Sequence, residues 1–529
     1  MVQQRQWRRP DAQRVVVVGA GVGGLACAAE LASRGCDVLV VERAHAPGGK
    51  MREVEVAGRR LDAGPTVLTM RWVFDELFAA LGTSVEAHLQ LRAAQVLARH
   101  AWPAGETLDL HADRERSADA IARFAGATEA SGYRAFCARA EEIYRTLEAP
   151  FLRGSRPTPV SLATRVGWRG LPSLMRISPF ETLWSSLGHY FRDPRLLQLF
   201  GRYATYCGSS PYLAPATLKL VAHVEQAGVW QVEGGMHRVA TVLAGLLERA
   251  GGSLRYGCDV GEILVRGGRA CGVRLASGET IEADTVVFNG DVAALGAGLL
   301  GVAGVRCAVD APQPKHRSLS AVTWNMVGTS SGFDLSHHSV FFGSDYREEF
   351  EAVFSRGTLP ADPTVYVCAQ DRAARDDGTA PAGPERLLCL VNAPARADLA
   401  PLSDTEIARC EQRMKHVLQR AGLTISTAGP QHTLVTTPND FAQMFPGSGG
   451  ALYGRASHGW AASFSRPGAR SRLPGLYLAG GTVHPGPGVP MAVLSGRQAA
   501  ASLLADAARG RASTSPSCAA ATPGGMSMR

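Results

Sequence analysis

The sequence predicts an α/β protein: a Rossmann-like dinucleotide-binding domain interrupted by an inserted α+β unit. Three observations carry this. Four β-branched residues, Val15-Val16-Val17-Val18, precede Gly19-Ala20-Gly21-Val22-Gly23-Gly24, an alanine-rich helical stretch and the apolar strand DVLVVE ending at Glu42, which together make one βαβ unit. Near the other end, the apolar strand Leu476-Tyr477-Leu478 runs into Gly480-Gly481 and then an alanine-rich helix from Met491. Between them, residues 61–226 read as mostly helical, and residues 316–395 alternate as strands do.

Each element of the first unit has a physical reason. Gly19 permits the tight turn, Gly21 lets the backbone approach a pyrophosphate, and Gly24 allows close helix–strand packing. Gly23 lies in the same loop, at a helix N-terminus whose free N–H groups and positive dipole end suit an anion. Glu42 ends the second strand, where a carboxylate holds ribose hydroxyls and disfavours a 2′-phosphate. The expected division is a basic tail over 1–13, a discontinuous nucleotide domain over 14–100, 227–300 and 450–508, a substrate domain over 101–226 and 301–449, and a disordered tail over 509–529.

Composition narrows the class. Of the 529 residues, 46% are hydrophobic and 19% charged, which excludes a disordered chain. The net charge of +8 includes only four lysines, and no zinc-finger spacing occurs, so no nucleic-acid partner is expected. The eleven cysteines include no CxxC pair, as in a reducing compartment. The first residues lack an apolar signal-like stretch, and no membrane-spanning run is found. Residues 150–202 hold eight arginines, two acids and many aromatics, broken by prolines. This reads as an interrupted amphipathic segment for a membrane surface. Gly328-Thr329-Ser330-Ser331-Gly332 matches a nucleophile motif but is followed by strand rather than helix. His337-His338 are expected to face opposite ways on a strand, so no metal site is expected.

Further blocks carry a resemblance. After Glu42-Arg43 come Pro47-Gly48-Gly49-Lys50 and then Asp62-Ala63-Gly64-Pro65. Gly234-Gly235-Met236, Cys258-Asp259-Val260, Asn289-Gly290-Asp291 and Gly480-Gly481-Thr482 follow in order. The set resembles the flavin-dependent amine oxidase and carotenoid desaturase superfamily. His484-Pro485-Gly486-Pro487-Gly488-Val489-Pro490 resembles its bacterial phytoene desaturase type. Gly488-Val489-Pro490-Met491-Ala492 and Thr69-Met70-Arg71-Trp72-Val73-Phe74 are most similar to the 1-hydroxycarotenoid 3,4-desaturase (methoxyneurosporene dehydrogenase) group.

The resemblance implies a Rossmann-like FAD-binding domain of the glutathione reductase/amine oxidase type. It implies FAD contacts from Gly19, Gly21, Gly23, Gly24, Glu42, Arg43, Gly49, Lys50, Gly64, Pro65, Val260, Gly480, Gly481 and Met491. Many family members carry an acid where this chain has Gly481, so only backbone contact is expected there. The implied reaction desaturates C3–C4 of an acyclic carotenoid bearing a C1 hydroxyl: a hydride passes to flavin N5 and a proton is lost from the neighbouring carbon. Oxygen or a quinone is the implied electron acceptor, and the cytoplasmic face of a photosynthetic bacterium's inner membrane the implied location. His484 and Glu233 are candidates for handling the proton; Arg71, Tyr206 and Thr217 are candidates for the hydroxyl. Rival readings are a phytoene desaturase, a flavin amine oxidase, an NAD-linked dehydrogenase and a non-enzymatic prenyl-lipid-binding chaperone of the same fold.

Overall fold

The computed structural model describes residues 7, 12–167, 180–301, 303–311, 313–372 and 381–514. Most of the expected basic tail, residues 168–179 of the basic-aromatic segment and residues 515–529 lie outside the described residues.

The nucleotide-binding part is a five-stranded parallel sheet in the order Ser253–Arg255, Asp37–Val41, Arg14–Val18, Thr285–Phe288, Leu476–Leu478. Its strands are buried on both faces, which is why they read as continuous apolar runs. The helices Val22–Ser33 and Val489–Thr514 pack together on it so closely that a Cβ on Gly496 would lie 2.1 Å from the Gly23 carbonyl oxygen. The second helix starts with Pro490 in its first turn and runs beyond the end expected from the sequence, because ADAARGRA still consists largely of good helix formers.

The second layer is a largely antiparallel sheet in the order Thr424–Thr427, Ser320–Ser331, Glu385–Ala393, Val365–Ala369, His338–Phe341, Val96–Ala101, Thr107–His111, with Thr433–Thr436 also on Ser320–Ser331. The Gly328–Ser331 motif lies in its longest strand. Residues 61–226, expected to be mostly helical, also supply strands to it and to a small sheet of Leu68–Thr69, Val229–Val232 and Leu91–Ala93. Their partners are distant: Val96–Ala101 lies parallel to His338–Phe341, a pairing that no local pattern announces. The expected boundary at residue 100 falls inside that strand. The helices Arg114–Ala125, Ala127–Leu147 and Pro194–Gly201 belong to an aromatic-rich core that includes Phe136, Phe191 and Phe200. The ten described cysteines are free.

Candidate functional site

The glycine loops form one cradle. Gly19, at φ +100, donates its N–H to the Val41 carbonyl at 2.8 Å. A Cβ on Gly24 would lie 2.3 Å from the Gly19 carbonyl oxygen, and one on Gly21 would lie 2.8 Å from Asn289 Nδ2. A Cβ on Gly23 would meet the Ala492 carbonyl at 2.8 Å and Gly480 Cα at 2.9 Å, so the two ends of the chain touch here. Gly49 stacks over Gly21, where a Cβ would lie 3.3 Å from Gly21 Cα, and Gly64 presses on the Lys50 carbonyl, at 2.0 Å from a would-be Cβ. Gly23, Gly24 and Gly64 exclude side chains because backbone passes backbone there, and Gly21 because the Asn289 amide fills the space, which leaves peptide groups lining the cradle.

The cradle's polar groups are preorganised. Glu42 is buried and accepts the N–H groups of Ala20 (2.7 Å) and Ala44 (2.8 Å), which fix its carboxylate at the cavity wall. Arg43 is half exposed, 3.8 Å from Asp259, with its guanidinium donating to the Gln443 carbonyl. Asp62 accepts from the N–H groups of Met236 and His237, and so caps the helix His237–Arg249 and joins two of the sequence blocks. Burial pushes its pKa up. Asn289 donates to the Gly19 carbonyl at 3.2 Å and faces Gly21, Gly23 and Gly480. The sequence marked Asn289 only as a turn residue; its position just after a buried strand was the available signal.

Two cations, the part-buried Lys50 and the buried Arg466, line the same cavity. Lys50 donates to the carbonyls of Ala451 and Leu452, and burial lowers its pKa. Arg466 donates to the carbonyls of Tyr453, Gly481 and Arg455, and burial lowers its pKa to about 10. Neither has a carboxylate within 4 Å among the described residues. Both offer positive charge to an electron-rich group in the cradle.

The cradle opens into one continuous cavity of about 1020 Å³. Away from the glycines its wall is mainly apolar, with Leu147, Leu162, Leu218, Val221, Leu388 and Leu390 among the lining residues. It reaches Phe180 and Trp460, which are 72% and 46% exposed and stand 5.6 Å apart, ring to ring. Val160, 76% exposed, lies on the helix Pro159–Val166, whose Pro159 and Leu162 line the cavity. No helix among the described residues is long and apolar enough to cross a membrane.

A polar island interrupts the apolar wall. Tyr206 and Tyr203 donate to Glu225 at 2.5 and 2.7 Å, and burial raises the Glu225 pKa against those bonds. Arg202 lies 5.5 Å from the ring centroids of both Tyr206 and Tyr366. Tyr366 bonds Thr66 and His338 Nδ1, each at 2.7 Å, and burial holds His338 neutral.

Of the residues singled out from the sequence, Gly19, Gly21, Gly23, Glu42, Arg43, Gly49, Lys50, Gly64, Pro65, Val260, Gly480, Gly481, Met491, Tyr206 and Thr217 line the cavity, and Gly24 supports it from behind. Three do not reach it. His484 turns away: its Nε2 bonds the carbonyls of Phe151 (2.9 Å) and Gly154 (3.1 Å), while its neighbours from Pro485 to Ala492 carry the lining. Glu233 is exposed and pairs with Arg92 at 3.5 Å. Arg71 is held on the helix surface by Asp75 and Glu86. His337 and His338 do not oppose each other as expected; their rings stand 4.3 Å apart because His337 precedes the strand. With Cys368 they bring three potential ligand atoms within 4.8 Å of one another, the Cys368 sulfur lying 3.7 Å from His337 Nε2.

Comparison with known proteins agrees with this geometry. Residues 22–504 match the family described as flavin containing amine oxidoreductase. The chain belongs to that family, and its cofactor is FAD. A hydroxyneurosporene desaturase from Rubrivivax gelatinosus is 56% identical over 98% of this chain and 97% of its own length. One from Cereibacter sphaeroides is 48% identical over 94% and 98%. Within the family the chain therefore belongs with the carotenoid desaturases. Cyclohexylamine oxidase from Brevibacterium oxydans shares the fold, with a TM-score of 0.55 at 17% identity over 94% of this chain and 100% of that one.

Proposed function

We propose that the protein is an FAD-dependent desaturase that introduces the C3–C4 double bond into acyclic 1-hydroxycarotenoids of the hydroxyneurosporene type. The observation that carries this is the single cavity, which joins a dinucleotide cradle to a long apolar chamber opening at exposed aromatics. A polar amine would gain little from such walls, whereas a polyene buries its whole length against them. The fit of the cofactor rests on the glycines whose would-be Cβ atoms collide with backbone, and on the ordered Glu42 carboxylate. Bound in the cradle, FAD supplies the two-electron acceptor for a hydride that a hydrocarbon cannot give up to acid–base groups alone. The protein's own part is placement. Glu42 and Arg43 would hold the adenosine half, the peptide groups of Gly21 and Gly49 would serve the diphosphate, and Lys50 and Arg466 would offset negative charge near Leu452 and Gly481. The apolar wall holds the C3–C4 bond of the substrate in place and keeps water off the reacting carbons. His484 and Glu233, turned away from the cavity, do not handle the proton.

The exposed Phe180, Trp460 and Val160 at the mouth support peripheral contact with a lipid surface, the source of such a substrate. Such a location, at the cytoplasmic face of a bacterial photosynthetic membrane, would put oxygen or a quinone within reach as the final electron acceptor. The test is incubation of the FAD-loaded protein with acyclic carotenoids with and without the C1 hydroxyl. Product with a longer absorption wavelength from the hydroxylated substrate supports the reading. Conversion of phytoene moves it to a phytoene desaturase, and binding without conversion of any carotenoid moves it to a lipid-binding chaperone.

A further inference from the structure

The polar island is out of place in a hydrocarbon chamber. Arg202 lines the cavity between the Tyr206 and Tyr366 rings, and no carboxylate among the described residues pairs with it within 4 Å. Glu225 lies beyond ion-pair distance of it and accepts the phenol protons of Tyr206 and Tyr203 instead. Tyr206, its proton committed to Glu225, holds its ring 5.5 Å from the guanidinium and steadies it from one side. A guanidinium has five N–H donors, so donors remain for whatever enters the cavity. Tyr366 is tied to Thr66, the residue that follows Pro65 in the block lining the cradle. The island therefore stands where the cofactor and substrate parts of the cavity meet.

We propose that Arg202, steadied by Tyr206–Glu225 and flanked by Tyr366–Thr66, binds the oxygen of the substrate's end-group hydroxyl and selects hydroxylated over unsubstituted chain ends. This rests on the reading of the protein as a 1-hydroxycarotenoid 3,4-desaturase and adds the residues that would enforce it. A C1 oxygen lies within about 6 Å of carbons 3 and 4 along the chain, at roughly 1.5 Å per bond. The group that reads it must consequently border the cofactor, as Arg202 does through the Tyr366–Thr66 pair. A hydrocarbon end would strand the guanidinium donors in an apolar wall, which penalises the wrong substrate more than a methyl-sized difference in shape would. Arg202 and Tyr366 are on this account specificity residues; Glu225 and Tyr206 act through Arg202 as positioning residues.

The experiment compares the wild-type protein with Arg202→Met, Arg202→Lys and Glu225→Gln. Each is loaded with FAD and given matched acyclic carotenoids with and without the C1 hydroxyl. Flavin content reports folding, and retention of each carotenoid by the protein in detergent reports binding apart from turnover. Arg202→Met is expected to raise KM for the hydroxylated substrate and to shrink the preference by about 10- to 100-fold. Arg202→Lys keeps part of the preference, and Glu225→Gln lowers it less than Arg202→Met. A wild-type preference that survives Arg202→Met in flavin-replete protein, in both turnover and retention, overturns this inference and leaves the function standing. Wild-type protein that turns over neither substrate overturns the function instead. If Arg202→Met loses flavin, Tyr366→Phe decides: an unchanged preference overturns the subsite, and a reduced one supports it.

Discussion

Gly23→Ala tests whether the two remote ends of the chain build one cofactor site. The new methyl would lie 2.8 Å from the Ala492 carbonyl oxygen and 2.9 Å from Gly480 Cα. Ordinary contact begins near 3.4 Å, so the C-terminal helix and the Gly480 turn must retreat by about 0.5 Å. Neither obstacle is a flexible side chain that could swing aside. Overpacking against backbone costs about 1–3 kcal/mol. Because the displaced elements are the walls of the cradle, that cost falls on cofactor binding and weakens FAD affinity about 5- to 150-fold. The assay is titration of apoprotein with FAD followed by flavin fluorescence, with melting temperature measured with and without FAD. Gly245 provides the contrast: it lies within the helix His237–Arg249 with nothing within 4 Å of a would-be Cβ. Gly245→Ala is expected to stabilise by about 0.5–1 kcal/mol and leave FAD binding alone. A Gly23→Ala protein that binds FAD like the wild type refutes the joint cradle.

His484 should make the protein acid-sensitive without being catalytic. Burial, aided by Arg165 and Arg156, lowers its pKa to about 4, against bonds to the Gly154 and Phe151 carbonyls that raise it. A histidine held neutral in the folded state contributes fully above its ordinary value near 6.5 and loses that contribution as pH falls from there towards 4, up to about 3 kcal/mol. His484→Gln still donates to both carbonyls but does not titrate, so its melting temperature should fall less steeply than the wild type's over that window; parallel curves would sink the assignment. At the mouth, Phe180→Ser with Trp460→Ser should reduce flotation with anionic liposomes about tenfold or more, since two exposed aromatics lose their burial in lipid. Unchanged flotation of the double variant, or no flotation of the wild type at low salt, removes the membrane contact.

The cradle was legible because its code is local. Glycines that must pass backbone at close range, an acid at the end of the next strand and a second strand–glycine–helix block all read directly from short stretches. The parallel sheet followed from the same runs of buried residues. The antiparallel sheet was only half legible: Ser320–Ser331 alternates as a strand should, but Val96–Ala101 looks unremarkable until His338–Phe341 lies beside it. Proximity in sequence also misled. His484 stands next to residues that line the cavity, yet its ring goes to the 151–154 backbone, because the chain here places Pro485 to Ala492 on one side and the imidazole on the other.

The polar island shows the deeper limit. Thr66 ends one of the glycine blocks, but Arg202, Glu225, His338 and Tyr366 come from four other segments that no motif links. Each alone reads as an ordinary surface or core residue. What makes Arg202 informative is that no carboxylate among the described residues pairs with it within 4 Å, a property of the assembled wall that no window of sequence contains. A cofactor cradle repeats the demands of the cofactor and so recurs as a pattern. A pocket for one end group needs only that some donor face the right place, and many combinations of segments can supply it. The fold and cofactor were therefore readable before the structure, whereas of the residues that would distinguish a hydroxylated from a plain carotenoid the sequence offered Tyr206 and not Arg202, which stood out once the sheet brought Tyr366 and Thr66 together beneath it.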